Sequence, residues 1–235
     1  MNKKVLILGA SSDIGLQTVN RYLKNNWSVV AHFSKNNKEL KKIKNKNLEI
    51  FKYDFKKINN FEKFIKKSHL FKDITAFISL TGYINSSKFS ALTIGNFYDH
   101  INVNYLSNII ILKYVLPNMK KKNFGRVLLS SSTGVKFGGG ETTILYALTK
   151  YMNEFFFSSY KEFYKNNILI NTLRIGVTKT KIHLKTKNKN LSKRIKLIPI
   201  KRIASINEVV DYIFLYASEK NTLTTNSIID ITGGE

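Results

Sequence analysis

Tyr146 and Lys150 stand four residues apart in the stretch ILYALTKYM. On a helix that spacing puts both side chains on one face. A free tyrosine, with a pKa of ~10, is a poor base at neutral pH. An ammonium a few ångströms away favours the phenolate and lowers that value. Such a pair can move a proton to or from an oxygen. Taken alone the spacing means little in a chain with 12 tyrosines and 39 lysines and arginines. It gains weight because it opens a helix shortly after a serine-rich strand end, Ser130-Ser131-Ser132.

A second stretch, LGASSDIG at 8–15, joins an apolar run to a segment of helical spacing. In a doubly wound sheet this is where pyrophosphate binds. Gly9 permits a tight exit from the strand, and Gly15 lets the helix pack closely. Ser11 and Ser12 offer hydroxyls and backbone N–H groups. Asp13 puts a carboxylate where an anion should bind. At a helix start Asp is a preferred cap and complements the helix dipole, so Asp13 is expected to cap, with its side chain turned away from phosphate.

These residues need a frame. Strands are expected at 3–9, 28–33, 48–53, 74–80, 126–131, 168–174 and 227–231. Helices are expected at 14–25, 36–46, 58–68, 96–121, 145–166 and 206–218. Alternating helices and wholly apolar strands predict a Rossmann-like α/β fold, a doubly wound parallel sheet of about seven strands with helices on both faces. Its ligand site lies at the carboxyl ends of the strands. The 235 residues, 43% hydrophobic, fit one domain spanning 1–235.

There is no cysteine, and the four histidines (His32, His69, His100, His183) are scattered. That argues against thiolate chemistry and a metal site. The apolar run at the N-terminus is shorter than the ~7–15-residue core of a signal peptide, and no run reaches the ~18 residues of a membrane span. The expectation is a cytoplasmic protein with no membrane partner. The net charge of +24 is carried by lysines spread over many segments, without the arginine forks of nucleic-acid readers. No specific nucleic-acid partner is expected, only weak, salt-sensitive association with polyanions.

The loop at 8–15 resembles the G-x-x-x-G-x-G loop of the short-chain dehydrogenase/reductase family, with Asp13 in place of the middle glycine. Further matches follow in order along the whole chain: Asp54 after the third strand, Leu80-Thr81-Gly82 after the fourth, Asn102-Val103-Asn104 in the first long helix, Ser130-Ser131-Ser132, Tyr146 with Lys150, and Asp230-Ile231-Thr232-Gly233-Gly234. The likeness is greatest to the single-domain branch of 3-oxoacyl-carrier-protein reductases and sugar or polyol dehydrogenases.

The resemblance implies a catalytic set of Asn104, Ser132, Tyr146 and Lys150. Tyr146 would be the acid/base, Lys150 would also bind the nicotinamide ribose, and Asn104 would hold a water in the proton relay. Ser132 lies in the GR-x-x-x-x-S-S pattern and would hold the reacting oxygen. Because its gap to Tyr146 is one residue long, Ser131 and Thr133 stay open as alternatives. On the cofactor side stand Gly9, Ser11, Ser12, Asp13, Ile14, Gly15, Asp54 (for the adenine amino group), Phe55, Leu80, Thr81, Gly82, Gly176 (for tight approach to the nicotinamide) and Thr178.

The end of the second strand, His32-Phe33-Ser34-Lys35, carries no acid to hold ribose hydroxyls. Ser34 and Lys35 suit a 2′-phosphate, which favours NADP(H) over NAD(H). The implied reaction is hydride transfer between the nicotinamide and a carbonyl or secondary alcohol of a small ketoacyl- or sugar-type substrate. The alternative is a non-catalytic nucleotide-binding regulator on the same fold. The basic stretch 177–202 corresponds to a substrate lid and would suit an anionic substrate. The aromatic residues Phe155, Phe156, Phe157, Tyr160, Phe163 and Tyr164 exceed one core-facing stripe, so a homodimer or homotetramer through the two long helices is expected.

Overall fold

The computed structural model describes residues 3–180 and 191–235. Seven strands form one sheet: β1 (Lys4–Leu8), β2 (Ser28–Phe33), β3 (Leu48–Lys52), β4 (Ala76–Ser79), β5 (Gly125–Ser132), β6 (Ile168–Ile175) and β7 (Ser227–Ile231). Their order is β3-β2-β1-β4-β5-β6-β7, and every pairing is parallel. This is the doubly wound Rossmann-like sheet expected from the alternation of elements.

The helices are α1 (Asp13–Lys24), α2 (Lys38–Lys42), α3 (Phe61–Lys67), α4 (Ile94–Ile101), α5 (Ser107–Lys122), α6 (Ile144–Met152), α7 (Lys161–Tyr164), α8 (Leu191–Leu197) and α9 (Ile206–Tyr216). The strands read as continuous apolar runs because both faces are covered. Leu6, Leu8, Phe77, Val127 and Leu129 pack with Ile111, Val115 and Met119 of α5. Val5, Ile7, Ala76, Ile78 and Leu128 pack with Val19 of α1 and Val209 and Ile213 of α9.

Two departures from the expected helices bear on the site. The first long helix is present, but α4 and α5 are joined by a π-helical turn over Asn102–Leu106. Such bulges admit one extra residue per turn and are frequent at functional sites. The expected helix at 145–166 is broken. It ends at Met152, and a 3-10 turn at Ser158–Tyr160 leads into α7. The cause is polar capture. The Thr172 hydroxyl takes the Asn153 carbonyl at 2.6 Å, the Asn153 amide donates to the Asn104 carbonyl at 2.9 Å, and Glu154 is buried against Arg174. These bonds outweigh the aromatic periodicity. Of the aromatic residues read as an exposed face, only Phe155 is exposed; Tyr160 is buried, and Phe156, Phe157, Phe163 and Tyr164 pack against the core.

Candidate active site

The loop after β1 closes on its neighbours without room for side chains. Gly9 has φ +73°, and a Cβ there would lie 2.8 Å from the Leu80 carbonyl oxygen. A Cβ on Gly15 would run into the Gly9 carbonyl, so α1 begins hard against the loop. The cap is Ser12, whose hydroxyl accepts from Gly15 N–H at 3.0 Å and donates to the Gly9 carbonyl at 2.8 Å. Asp13 is the first helical residue. The capping role expected of Asp13 therefore belongs to Ser12, one residue earlier, and Asp13 contributes through the helix dipole. Ser12's hydroxyl is committed to the turn, while Ser11 is exposed. Ile14 packs its side chain against the core and leaves its backbone to the loop.

His32 ties this loop to the sheet. Its Nδ1 accepts from Gly9 N–H at 3.2 Å, so Nε2 carries the proton and donates to the Tyr53 carbonyl at 2.9 Å. Burial pushes its pKa down to about 4, against smaller opposing effects of that carbonyl and Asp54. No motif or spacing around His32 signals this role. Finding it would have needed the register that places the end of β2 beside both loops. Beyond His32, Ser34 is half-buried and Lys35 is exposed. Asp54 caps the turn after β3 by accepting from Lys56 N–H at 3.2 Å. The Phe55 ring is core, 4.4 Å from the His32 ring, so only its backbone is left for a ligand.

The remaining candidates meet at the ends of β4, β5 and α6. The Ser132 side chain lies close enough to the Tyr146 phenol to lower its pKa in part. Of the other two alternatives, Ser131 donates to Glu154 at 2.5 Å, and the buried Thr133 hydroxyl has no hydrogen-bond partner among the described residues. Gly82 borders the tyrosine, since a Cβ there would lie 3.9 Å from the phenolic oxygen. Lys150 is buried. Its Nζ donates to the Thr81 carbonyl at 2.6 Å, the Ser130 carbonyl at 3.0 Å and the Ser130 hydroxyl at 2.8 Å.

Two expectations about this pair are corrected. Burial raises the Tyr146 pKa above its ordinary value, and the nearby Ser132 side chain lowers it in part. Burial also lowers Lys150 to about 7. The lysine spends its donors on strand-end oxygens, so the expected depression of the tyrosine by a neighbouring ammonium gives way to desolvation of both groups. Asn104 lies in the π turn. Its side chain pairs with both backbone groups of Tyr83, accepting from N–H at 2.6 Å and donating to the carbonyl at 2.9 Å. Its own carbonyl accepts from Asn108 and Asn153. Two side-chain amides reach this carbonyl, and the Asn104 side chain holds the loop after β4.

Gly176 is close-packed against β7, where a Cβ would lie 2.8 Å from Thr232 Cα. The neighbouring strand alone therefore requires a glycine here. Thr178 is buried and donates to the Gly176 carbonyl at 3.0 Å. The stretch 177–202 falls partly outside the described residues, at 181–190; α8 lies in its remainder.

A tight backbone cradle after β1, with a tyrosine, lysine and serine at the same edge of the sheet, fits a dinucleotide laid across the strand ends. Comparison with known proteins agrees. Residues 3–191 match the family model described as short chain dehydrogenase, and the chain belongs to that family of NAD(P)-dependent oxidoreductases.

Among individual proteins, it is 25% identical to the 3-oxoacyl-[acyl-carrier-protein] reductase FabG of Buchnera aphidicola subsp. Schizaphis graminum, over 99% of this chain and 87% of that protein. It is 22% identical to the uncharacterized oxidoreductase YmfI of Bacillus subtilis, over 100% of this chain and 99% of that one. Among solved structures, ElxO with NADP bound superposes with a TM-score of 0.84 at 24% identity, covering 100% and 98% of the two chains. A 3-oxoacyl (acyl-carrier-protein) reductase from Agrobacterium tumefaciens C58 with NADP bound gives 0.85 at 20% identity, covering 99% and 94%.

Proposed function

We propose that this chain transfers hydride between NADP(H) and a carbonyl or secondary alcohol of a small ketoacyl- or sugar-type substrate. The observation that carries the reading is the convergence of Tyr146, Ser132 and the buried Lys150 at the ends of β4 and β5, with Lys150 one helical turn from the tyrosine on the same helix. A raised phenol pKa keeps Tyr146 protonated at neutral pH, which suits an acid that gives its proton to a carbonyl oxygen. Ser132 holds that oxygen beside the phenol. In the reverse direction the deprotonated phenolic oxygen of Tyr146 takes the proton from the alcohol. The bound nicotinamide supplies or accepts the hydride.

Gly9, Ser11, Ser12, Asp13, Ile14 and Gly15 would hold the pyrophosphate through backbone groups. Asp54 and Phe55 would face the adenine end, and Leu80, Thr81, Gly82, Gly176 and Thr178 would line the nicotinamide end. Lys150 can reach a ribose by exchanging its Ser130 hydroxyl bond. Ser34 and Lys35 favour NADP(H) over NAD(H). Lys35 makes no hydrogen bond or ion pair to the described residues, so its charge is available to a 2′-phosphate. Support comes also from the NADP-bound structural neighbours and the reductase relatives.

The reading extends to a single cytoplasmic domain with a lid at 177–202, whose basic character suits an anionic substrate. It also includes a homodimer or homotetramer. The surface for this is now smaller than two long helices: Leu148, Tyr151 and Phe155 at α6, beside Phe97 and Tyr98 of α4, are exposed. Among the described residues no helix is long and apolar enough to cross a membrane. A screen of acyl and sugar ketones, following NADPH absorbance, tests the activity. Absence of turnover with every carbonyl class, despite tight NADPH binding, would favour a nucleotide-binding regulator.

A further inference from the structure

Glu154 has a buried carboxylate that the chemistry above does not use. Its side chain is 2% exposed. It lies one helical turn beyond Lys150, just past the end of α6, and its own N–H donates to the Tyr151 carbonyl at 2.8 Å. Three donors converge on it. Arg174 of β6 grips it side-on, Nε to Oε1 at 2.7 Å and Nη2 to Oε2 at 2.6 Å. Ser131 of β5 donates to Oε1 at 2.5 Å. Ser131 and Arg174 are register partners across β5 and β6. Beyond Arg174, Asp230 of β7 lies 3.7 Å from Nη1 and pairs in turn with Lys136 at 2.7 Å.

The placement is specific. Ser131 sits between Ser130, which receives Lys150, and Ser132, which meets Tyr146. Alternate residues of a strand point to opposite faces, so the three serines are held from both sides by residues of one chain segment, 146–154. A buried ion pair contributes little net stability compared with apolar packing, and its best use is to fix one geometry. Here the helix itself is interrupted to deliver the carboxylate.

We propose that Glu154 is a positioning residue for proton transfer: through Ser131 and Arg174 it fixes the end of β5, and with it Ser132, against Tyr146. This rests on the reading of Ser132 and Tyr146 as the pair that handles the reacting oxygen. Loosening the clamp lets Ser132 withdraw from the phenol, and its partial lowering of the Tyr146 pKa is lost.

The test compares the wild-type chain with Ser131→Ala, Ser131→Thr and Glu154→Gln. Tyr146 is followed by NMR with tyrosine labelled at Cζ, its signal assigned by Tyr146→Phe. Groups facing the phenol are Lys150 on its own helix and Ser132 on β5, and neither is altered in these variants. In Ser131→Ala the Tyr146 titration midpoint moves to higher pH and Ser131→Thr restores it, while NADPH affinity is unchanged. With a short 3-oxoacyl thioester as probe, kcat falls about tenfold to a hundredfold, the scale of a small misplacement of a reacting group, and KM changes little. Glu154→Gln shows the same pattern should Ser131→Ala fold poorly. An unmoved Tyr146 midpoint in both variants overturns the proposal. If the wild-type chain reduces no carbonyl probe, the oxidoreductase reading fails on its own, and the titration, which needs no substrate, still decides the clamp.

Discussion

Lys150 places its ammonium nitrogen 5.8 Å from the centre of the Tyr146 ring. The two side chains share a helix face, as their spacing requires, but the lysine bonds to oxygens at the ends of β4 and β5 while the tyrosine faces Ser132. An ammonium has three donors, and all three are in use. Cofactor binding must therefore exchange one of them. Lys150→Ala is expected to weaken NADPH binding and to depress turnover together, since the same nitrogen braces the strand ends and reaches the ribose. A variant that bound NADPH as tightly as wild type would show that the lysine does not hold the ribose.

His32 gives the chain a stability that depends on pH. Its folded pKa, about 4, lies below the ordinary 6.5. Between those values the unfolded chain binds more protons, so the contribution is complete above the upper value and is lost as pH falls through the lower. At about 1.4 kcal/mol per unit the full loss is on the order of 3 kcal/mol. Urea unfolding at a series of pH values should show this decline, and His32→Gln should flatten it. Parallel curves for the two proteins would show that protonation elsewhere governs the slope.

The cap of α1 separates Ser12 from Asp13. Ser12→Ala should cost about 1 kcal/mol, the usual value for a lost N-cap. Asp13→Asn removes a charge from the positive end of the helix, an effect of roughly 0.3–1 kcal/mol, and should leave NADPH affinity level or slightly higher. Melting temperatures with NADPH dissociation constants check both. A large loss of affinity in Asp13→Asn would mean that its carboxylate takes part in holding the ligand.

Lys35→Glu should weaken NADPH and spare NADH, because a carboxylate at the end of β2 repels a 2′-phosphate yet can accept from ribose hydroxyls. Fluorescence titration of both nucleotides reads the difference. Equal weakening of the two would remove Lys35 from cofactor selection.

Much of the frame was legible from pattern, because a strand buried on both faces must be apolar along its length, as KVLIL and SVVAHF are. Tyr146 and the glycine loop were legible from their resemblance to the family's motifs, which left Ser132 open beside Ser131 and Thr133. What the sequence hid was the outcome of competition between contacts made far apart in the chain. Helical periodicity continued through Asn153 and Glu154, but β5 and β6 capture both residues and end the helix. Asp13 and Ser12 are both good caps, and only the turn geometry chooses between them. The tyrosine pKa moved opposite to the charge-pair argument because spacing reveals neighbours and says nothing of lost water. Gly176 is required by the packing of β7, which sequence proximity cannot show.

The central claim is that Tyr146 is the proton donor of an NADP(H)-dependent reduction. Its most direct test is Tyr146→Phe, which keeps the ring and its packing and removes only the hydroxyl. NADPH affinity and turnover are measured on the same preparation, with a carbonyl substrate found in the screen. The account predicts NADPH binding close to wild type and turnover reduced by about 100-fold or more, the scale of a lost general acid. Wild-type turnover in this variant would contradict it.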